Sequence, residues 1–288
     1  MARRPLLLLL LLLPTALHAG DYDADDDDTY PFTLPRAYYP AHVATRPHAE
    51  TAVGADGVQA RWRNPLGKAA FECTPRSRRA DRAAAEAGDA HAATRVGVCL
   101  LNGGDAADEA AAGAWLARGA EGGDASAMTN LGVCRARGRC GLGPASGQAA
   151  REWHAKAADG GGSLDGMFNL GRLLDKGAPG LDPDPALALR WFGAAADLGH
   201  EQATWAAATM YAQGRGLAAP DYAEARKWLA ASCADGNADA MYMLAVMEIK
   251  GSGAPAPDLE GGLVRLRAAA RAGNGQAHDL LAGALLAG

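Results

Sequence analysis

Few residues in this 288-residue chain have types and spacings that could do chemistry, and the cysteines and histidines are the first to weigh. Cys134 and Cys140 lie six apart, one ending an apolar run and one in the GRCGLG loop that follows, so a bridge between them would staple a turn. Cys99 and Cys134 hold equivalent places in successive periods of the chain. Packed helices stand about 8–10 Å apart, beyond the roughly 7 Å that Cα atoms joined by a disulfide can span. Cys73 and Cys99 could pair if the segment ahead of the helices folds back, and Cys233 reads as a small core residue. Five cysteines leave at least one over. His200-Glu201-Gln202-Ala203-Thr204 approaches the helical zinc motif, but Thr204 stands where the second histidine ligand belongs, so no metal is expected. His91, His154 and His278 read as turn or surface residues. No serine stands in Ser-x-x-Lys or in a Gly-x-Ser-x-Gly elbow, so no catalytic residue is assigned. The glycine turn Gly214-Arg215-Gly216 lacks a P-loop lysine and a strand before it, and no cofactor is expected. Asp21, Asp23 and Asp25 have calcium-loop spacing. Asp26 stands where that loop needs Gly and Phe32 where it needs Glu, so the run reads as a solvated acidic tail.

The elements that would position such residues are helices. Aromatic residues make up 6% of the chain and β-branched residues are sparse, which leaves little material for a sheet. A net charge of -5 removes the electrostatic footprint of a nucleic-acid binder. The chain opens with Arg3 and Arg4, then Leu6 to Leu13, Pro14 and a small-residue exit at Ala19. That pattern predicts a signal peptide over 1–19, and hence a periplasmic or secreted protein without stable membrane insertion. Residues 20–78, acidic and then Pro-interrupted, predict an extended, weakly ordered leader.

From about residue 79 the chain repeats. Trp115, Trp153, Trp191 and Trp228 fall at steps of 38, 38 and 37, each followed eight residues later by Gly123, Gly161, Gly199 or Gly236. A small residue recurs nine or ten residues beyond these turns, at Gly132, Gly171, Ala208 and Ala245, with Gly97 and Ala282 in phase outside them. Asp184, Asp221 and Asp258 each follow a Pro and head a periodic run, the mark of helix N-caps. Each unit is then two short helices joined by a glycine turn. A hairpin of about 37 residues cannot bury its apolar face alone, so about six must stack over 79–288 into an all-α, right-handed α-solenoid.

The segments AREWHAKAADGGGSLDGMFNLGRLLDKG and ARKWLAASCADGNADAMYMLAVMEIKG resemble the Sel-one-like repeat, a longer-period relative of the tetratricopeptide repeat. The resemblance covers about residues 79–288, with Ala in place of Gly at the small position of the later repeats and an inserted residue near Gly162. It implies a noncatalytic scaffold that binds a protein or peptide. A cysteine-rich secreted branch of the family is associated with penicillin binding and β-lactam hydrolysis, which makes a β-lactam-binding or hydrolysing enzyme the alternative reading. That branch carries a bridge in every repeat, a pattern absent here. In stacked hairpins one phase of successive helices forms a ladder along the concave face. Three residues before the small position this ladder reads Thr94, Thr129, Phe168, Trp205, Tyr242 and Asp279. The aromatics Phe168, Trp205 and Tyr242 would anchor a partner, with Asp165, Gln202 and Asp239 as polar specificity groups and Arg172 and Thr209 one turn along. Packing between hairpins is the competing reading of the same aromatics.

Overall fold

The computed structural model describes residues 73, 75–102 and 106–286. The expected signal peptide, the aspartates near residue 21 and the leader as far as residue 72 lie outside the described residues. Twelve helices carry the described chain: α1 (Pro75–Glu86), α2 (Ala90–Asn102), α3 (Ala106–Glu121), α4 (Ala125–Arg137), α5 (Gly147–Gly161), α6 (Leu164–Lys176), α7 (Pro185–Asp197), α8 (Glu201–Gln213), α9 (Tyr222–Ala234), α10 (Ala238–Lys250), α11 (Leu259–Arg271) and α12 (Gly275–Leu286). Among the described residues there is no strand; one isolated bridge joins Ala178 and Leu181. The fold is an all-α solenoid of paired helices. The described chain forms two compact units, one ending at His200 and one beginning at Glu201.

Local chemistry sets the helix ends. Asp184, Asp221 and Asp258 cap α7, α9 and α11 as the spacing predicts, their side chains accepting the backbone N–H groups of Leu187, Glu224 and Gly261 at 3.0, 3.0 and 2.9 Å. Helix α1 begins at Pro75, four residues ahead of the expected start of the array at 79, with proline in the first turn where its missing N–H costs nothing. The turn glycines are needed for their backbone: Gly123 and Gly199 both have φ +86°, a conformation that strains residues with a Cβ. In α5 the extra residue shifts this role. Gly161 stays helical and Gly162, at φ +57°, ends the helix.

The small position is explained by the residue after each Trp, and after Arg265 at the same phase. A Cβ on Gly97 would lie 2.8 Å from the Leu116 side chain, one on Gly132 would overlap the His154 ring, and one on Gly171 would lie 2.7 Å from the Phe192 ring. In the second unit Ala208 shares a core cluster with Leu229, and Ala245 with Leu266. Wherever the incoming side chain is planar and wide, Gly receives it; where the small position is Ala, the partner is Leu. The tightly fitted pair is therefore the small-residue helix and the Trp helix that follows it. That frame is offset by one helix from the hairpin drawn across the glycine turn. It also corrects the expectation for His154, which is no surface residue: it is 2% exposed, in the place that Leu116 and Phe192 occupy in neighbouring repeats. His91 and His278 are exposed, as expected.

Candidate functional site

In the first unit the expected ladder makes contacts between repeats. The Thr94 hydroxyl donates to Asp124 Oδ2 at 2.7 Å, the Thr129 and Ser163 hydroxyls lie 3.2 Å apart, and the Phe168 ring stacks on His200 with centroids 4.7 Å apart. Asp124 and Ser163 are the N-caps of α4 and α6, so Thr94 and Thr129 each reach the start of the next small-residue helix. In the second unit Trp205 packs among Met243, Leu244 and Leu229, and Tyr242 among Leu266 and Leu280. Phe168, Trp205 and Tyr242 are 2%, 8% and 9% exposed. Their environment is packing against neighbouring helices, and little of any of the three meets solvent.

The polar residues beside the ladder divide. Asp165 Oδ1 lies 3.2 Å from His200 Nε2 within the first unit, and Asp239 Oδ1 accepts from Asn274 Nδ2 at 2.6 Å, which ties α10 to the cap of α12. Asn274 in turn accepts the Ala277 N–H at 2.7 Å as the cap of α12. Gln202 is exposed and Asp239 is exposed beyond its tie. Arg172 is half-buried, its guanidinium 6.0 Å from the centre of the Phe168 ring. Thr209 is buried and its hydroxyl donates to the Ala206 carbonyl at 2.9 Å within α8. His200, the one histidine in the zinc-like sequence, is held by Asp165 and Phe168 in the first unit. Among the described residues no group of three or more His, Cys, Asp or Glu side chains is placed to hold a metal ion.

Cys134 and Cys140 are disulfide-bonded, with Cα atoms 5.7 Å apart. Glu109 completes that turn: Arg139 donates to both of its carboxylate oxygens at 2.9 and 3.1 Å, and the Cys140 N–H donates to it at 3.1 Å. The Arg139 guanidinium first, and then the Cys140 N–H, hold the Glu109 carboxyl below its usual range. The turn must also fit closely against α3, because a Cβ on Gly113 would overlap the Cys140 carbonyl. Cys73 is bonded to Cys99 with Cα atoms 5.5 Å apart, the pairing that required the preceding segment to fold back. Cys233 is a free, half-buried thiol whose pKa burial pushes up to about 11, so it is a poor nucleophile at neutral pH.

The tandem arrangement has a family match. The Sel1 repeat family model matches residues 90–124, 125–162, 164–200, 202–237 and 238–274, well over half of the chain. This chain belongs to the Sel1 repeat family. The matched boundaries start on the small-residue helix and end after the Trp helix, the same frame in which Gly171 receives Phe192. Two solved structures are similar. One is a protective antigen present in uropathogenic Escherichia coli strains displaying an SLR fold, 27% identical, with TM-score 0.61 over 68% of this chain and 41% of that one. The other is a Sel1 repeat protein from Oxalobacter formigenes, 26% identical, with TM-score 0.56 over 66% of this chain and 76% of that one. The Sel1 chain thus spans about two fifths of the length of the Escherichia coli antigen. None of the curated proteins matches it.

One surface escaped the sequence reading. Arg76, Arg79 and Arg82 are exposed on α1, and Arg118 is exposed on α3. The guanidinium groups of Arg82 and Arg118 lie 5.7 and 4.8 Å from the ring centre of half-buried Trp115. The run PRSRRADR carries this signal in the sequence, its first half falling inside the segment expected to be leader.

Proposed function

We propose that this Sel1 repeat protein is a noncatalytic interaction scaffold exported from the cytoplasm, binding a protein or peptide along the small-residue helices. Sel1 repeats mediate protein–protein interaction, and that membership carries the reading. Two disulfides in the first unit support an oxidising compartment, where such bonds persist. Among the described residues no helix is long and apolar enough to cross a membrane. Because the ladder aromatics are buried, the groups that first meet a partner are the polar ones: Gln202 and Asp239 in the second unit, Asp165 and Arg172 in the first. Phe168, Trp205 and Tyr242 then pack behind these groups and hold them in place.

A photo-crosslinking residue placed at Gln202 or Asp239 tests this. In intact cells both positions should give the same discrete adduct, while exposed Lys227, on the Trp helix α9, should give none. Equal adducts from all three positions, or none from the first two, would remove the assignment. The β-lactam alternative is checked on the same purified protein with a chromogenic β-lactam, which should remain unhydrolysed. Neither disulfide joins the two helices of one repeat, so the structure offers no counterpart to the per-repeat bridge of that branch.

A further inference from the structure

We infer that the basic face of α1 is a docking site for the chain's own acidic segment, Asp21–Asp28. The face is built from described residues. Arg76, Arg79 and Arg82 are exposed along one helix, and Arg118 on α3 joins them across Trp115. Its internal carboxylate is already used: Asp81 is 9% exposed and accepts two hydrogen bonds from Arg95, at 2.8 and 2.6 Å. Arg118 is fixed by donating to the Ala85 carbonyl at 3.1 Å, and the Trp115 ring orders both guanidinium groups beside it. Of the acidic side chains on α1, Asp81 is thus spent and Glu86 stands at the far end. The result is a concentrated positive surface on a protein whose net charge is -5.

The occupant is chosen by charge, by connectivity and by where the leader is anchored. Residues 21–28 hold six aspartates, the densest run of one charge in the sequence. The Cys73–Cys99 bond moors the end of the leader two residues ahead of α1, so the acidic run is tethered beside the basic helix. Residues 29–72 lie between them. At up to about 3.3 Å per residue, that length reaches back over α1 by any route. Tethering raises the local concentration of the segment to about the millimolar range. Even a weak exposed-charge interaction is then largely occupied at low salt, and it should fade as ionic strength shortens the Debye length.

The test uses the full chain and a fluorescein-labelled peptide with the sequence of residues 20–30 as probe. The protein carrying Asn at positions 21, 23, 25, 26, 27 and 28 should bind the probe about tenfold more tightly than the unaltered protein at low salt, with binding lost at about 0.5 M NaCl. Arg76→Ala/Arg79→Ala/Arg82→Ala in that Asn background should lose the binding, its helix content by circular dichroism being unchanged because these side chains are exposed. A photo-crosslinker at Tyr22 of the otherwise unaltered chain should form adducts on α1 or α3 at a yield independent of protein concentration. Equal probe affinity of the unaltered and Asn proteins would overturn the inference, since it would leave the arginines to an external anion. Arg-independent binding, or a yield that rises with concentration as expected of a second copy, would overturn it as well.

Discussion

His154 is the residue whose place in the molecule is least accounted for by its type. It sits where Leu116 and Phe192 sit in neighbouring repeats, its ring lies over Gly132, and its Nδ1 is buried with no hydrogen-bond partner. Burial first, and the Arg172 charge second, push its pKa down to about 3. The folded protein therefore holds it neutral, while the unfolded chain takes up a proton below about pH 6.5. Stability is unaffected by this group above that pH and falls as pH drops from about 6.5 toward about 3, at roughly 1.4 kcal/mol per pH unit. His154→Leu removes both the titration and the unpartnered nitrogen. Urea denaturation at pH 8 and pH 5 should show the variant more stable at both, with its advantage at least about 1 kcal/mol larger at pH 5. A constant difference between the two pH values would mean that His154 is solvated in the folded state.

At the scale of elements, the helix caps do two jobs. Asp124 accepts the Ser126 and Ala127 N–H groups as the cap of α4 while also accepting the Thr94 hydroxyl from α2, and it lies 2.8 Å from His91 Nδ1. Asp258 caps α11 from an exposed position through the Gly261 N–H alone. Asp258→Ala should cost about 1 kcal/mol, the usual worth of a cap. Asp124→Ala should cost about 2–4 kcal/mol, because it also removes the charge-assisted hydrogen bond from Thr94, whose hydroxyl is left with the Ala90 carbonyl of its own helix; equal losses in chemical denaturation would show that the tie between repeats contributes nothing. The caps at Asp184, Asp221 and Asp258, the 37-residue period and the all-α class were legible in the sequence, because capping and hairpin length are local. The ties were not: Asp165 meets His200 and Asp239 meets Asn274 across 35 residues, and no single-helix pattern shows which distant residue a polar group will meet. His154 was misread for the same reason, since only the packed neighbour, Gly132, shows that its position is internal. The Cys73–Cys99 pairing stayed open because it spans 26 residues and depends on how α1 packs against α2, whereas Cys134–Cys140 is local enough to read from spacing.

For the molecule as a whole, stacking makes stability a near-neighbour property, so a perturbation in one repeat should be felt next door and fade beyond. Both disulfides lie in the first unit, and the second holds only the free thiol of Cys233. By loop length, the bond across 26 residues stabilises by about 3.5 kcal/mol and the one across six by about 2 kcal/mol, mainly by restricting the unfolded chain. Reduction should therefore act on one part of the array. Hydrogen exchange measured before and after reduction, under conditions where the protein remains folded, should show lost protection in α1 to α5. Helices α10 to α12, whose core around Leu266 contains no cysteine, should keep theirs within about 0.5 kcal/mol. A uniform loss across all twelve helices would instead mean that the chain unfolds as one cooperative block, and the neighbour-only coupling expected of a solenoid would not hold for this protein. Peptide mapping without reduction, carried out on the same sample, must recover Cys134 joined to Cys140 and Cys73 to Cys99, since free thiols at those positions would leave reduction nothing to act on.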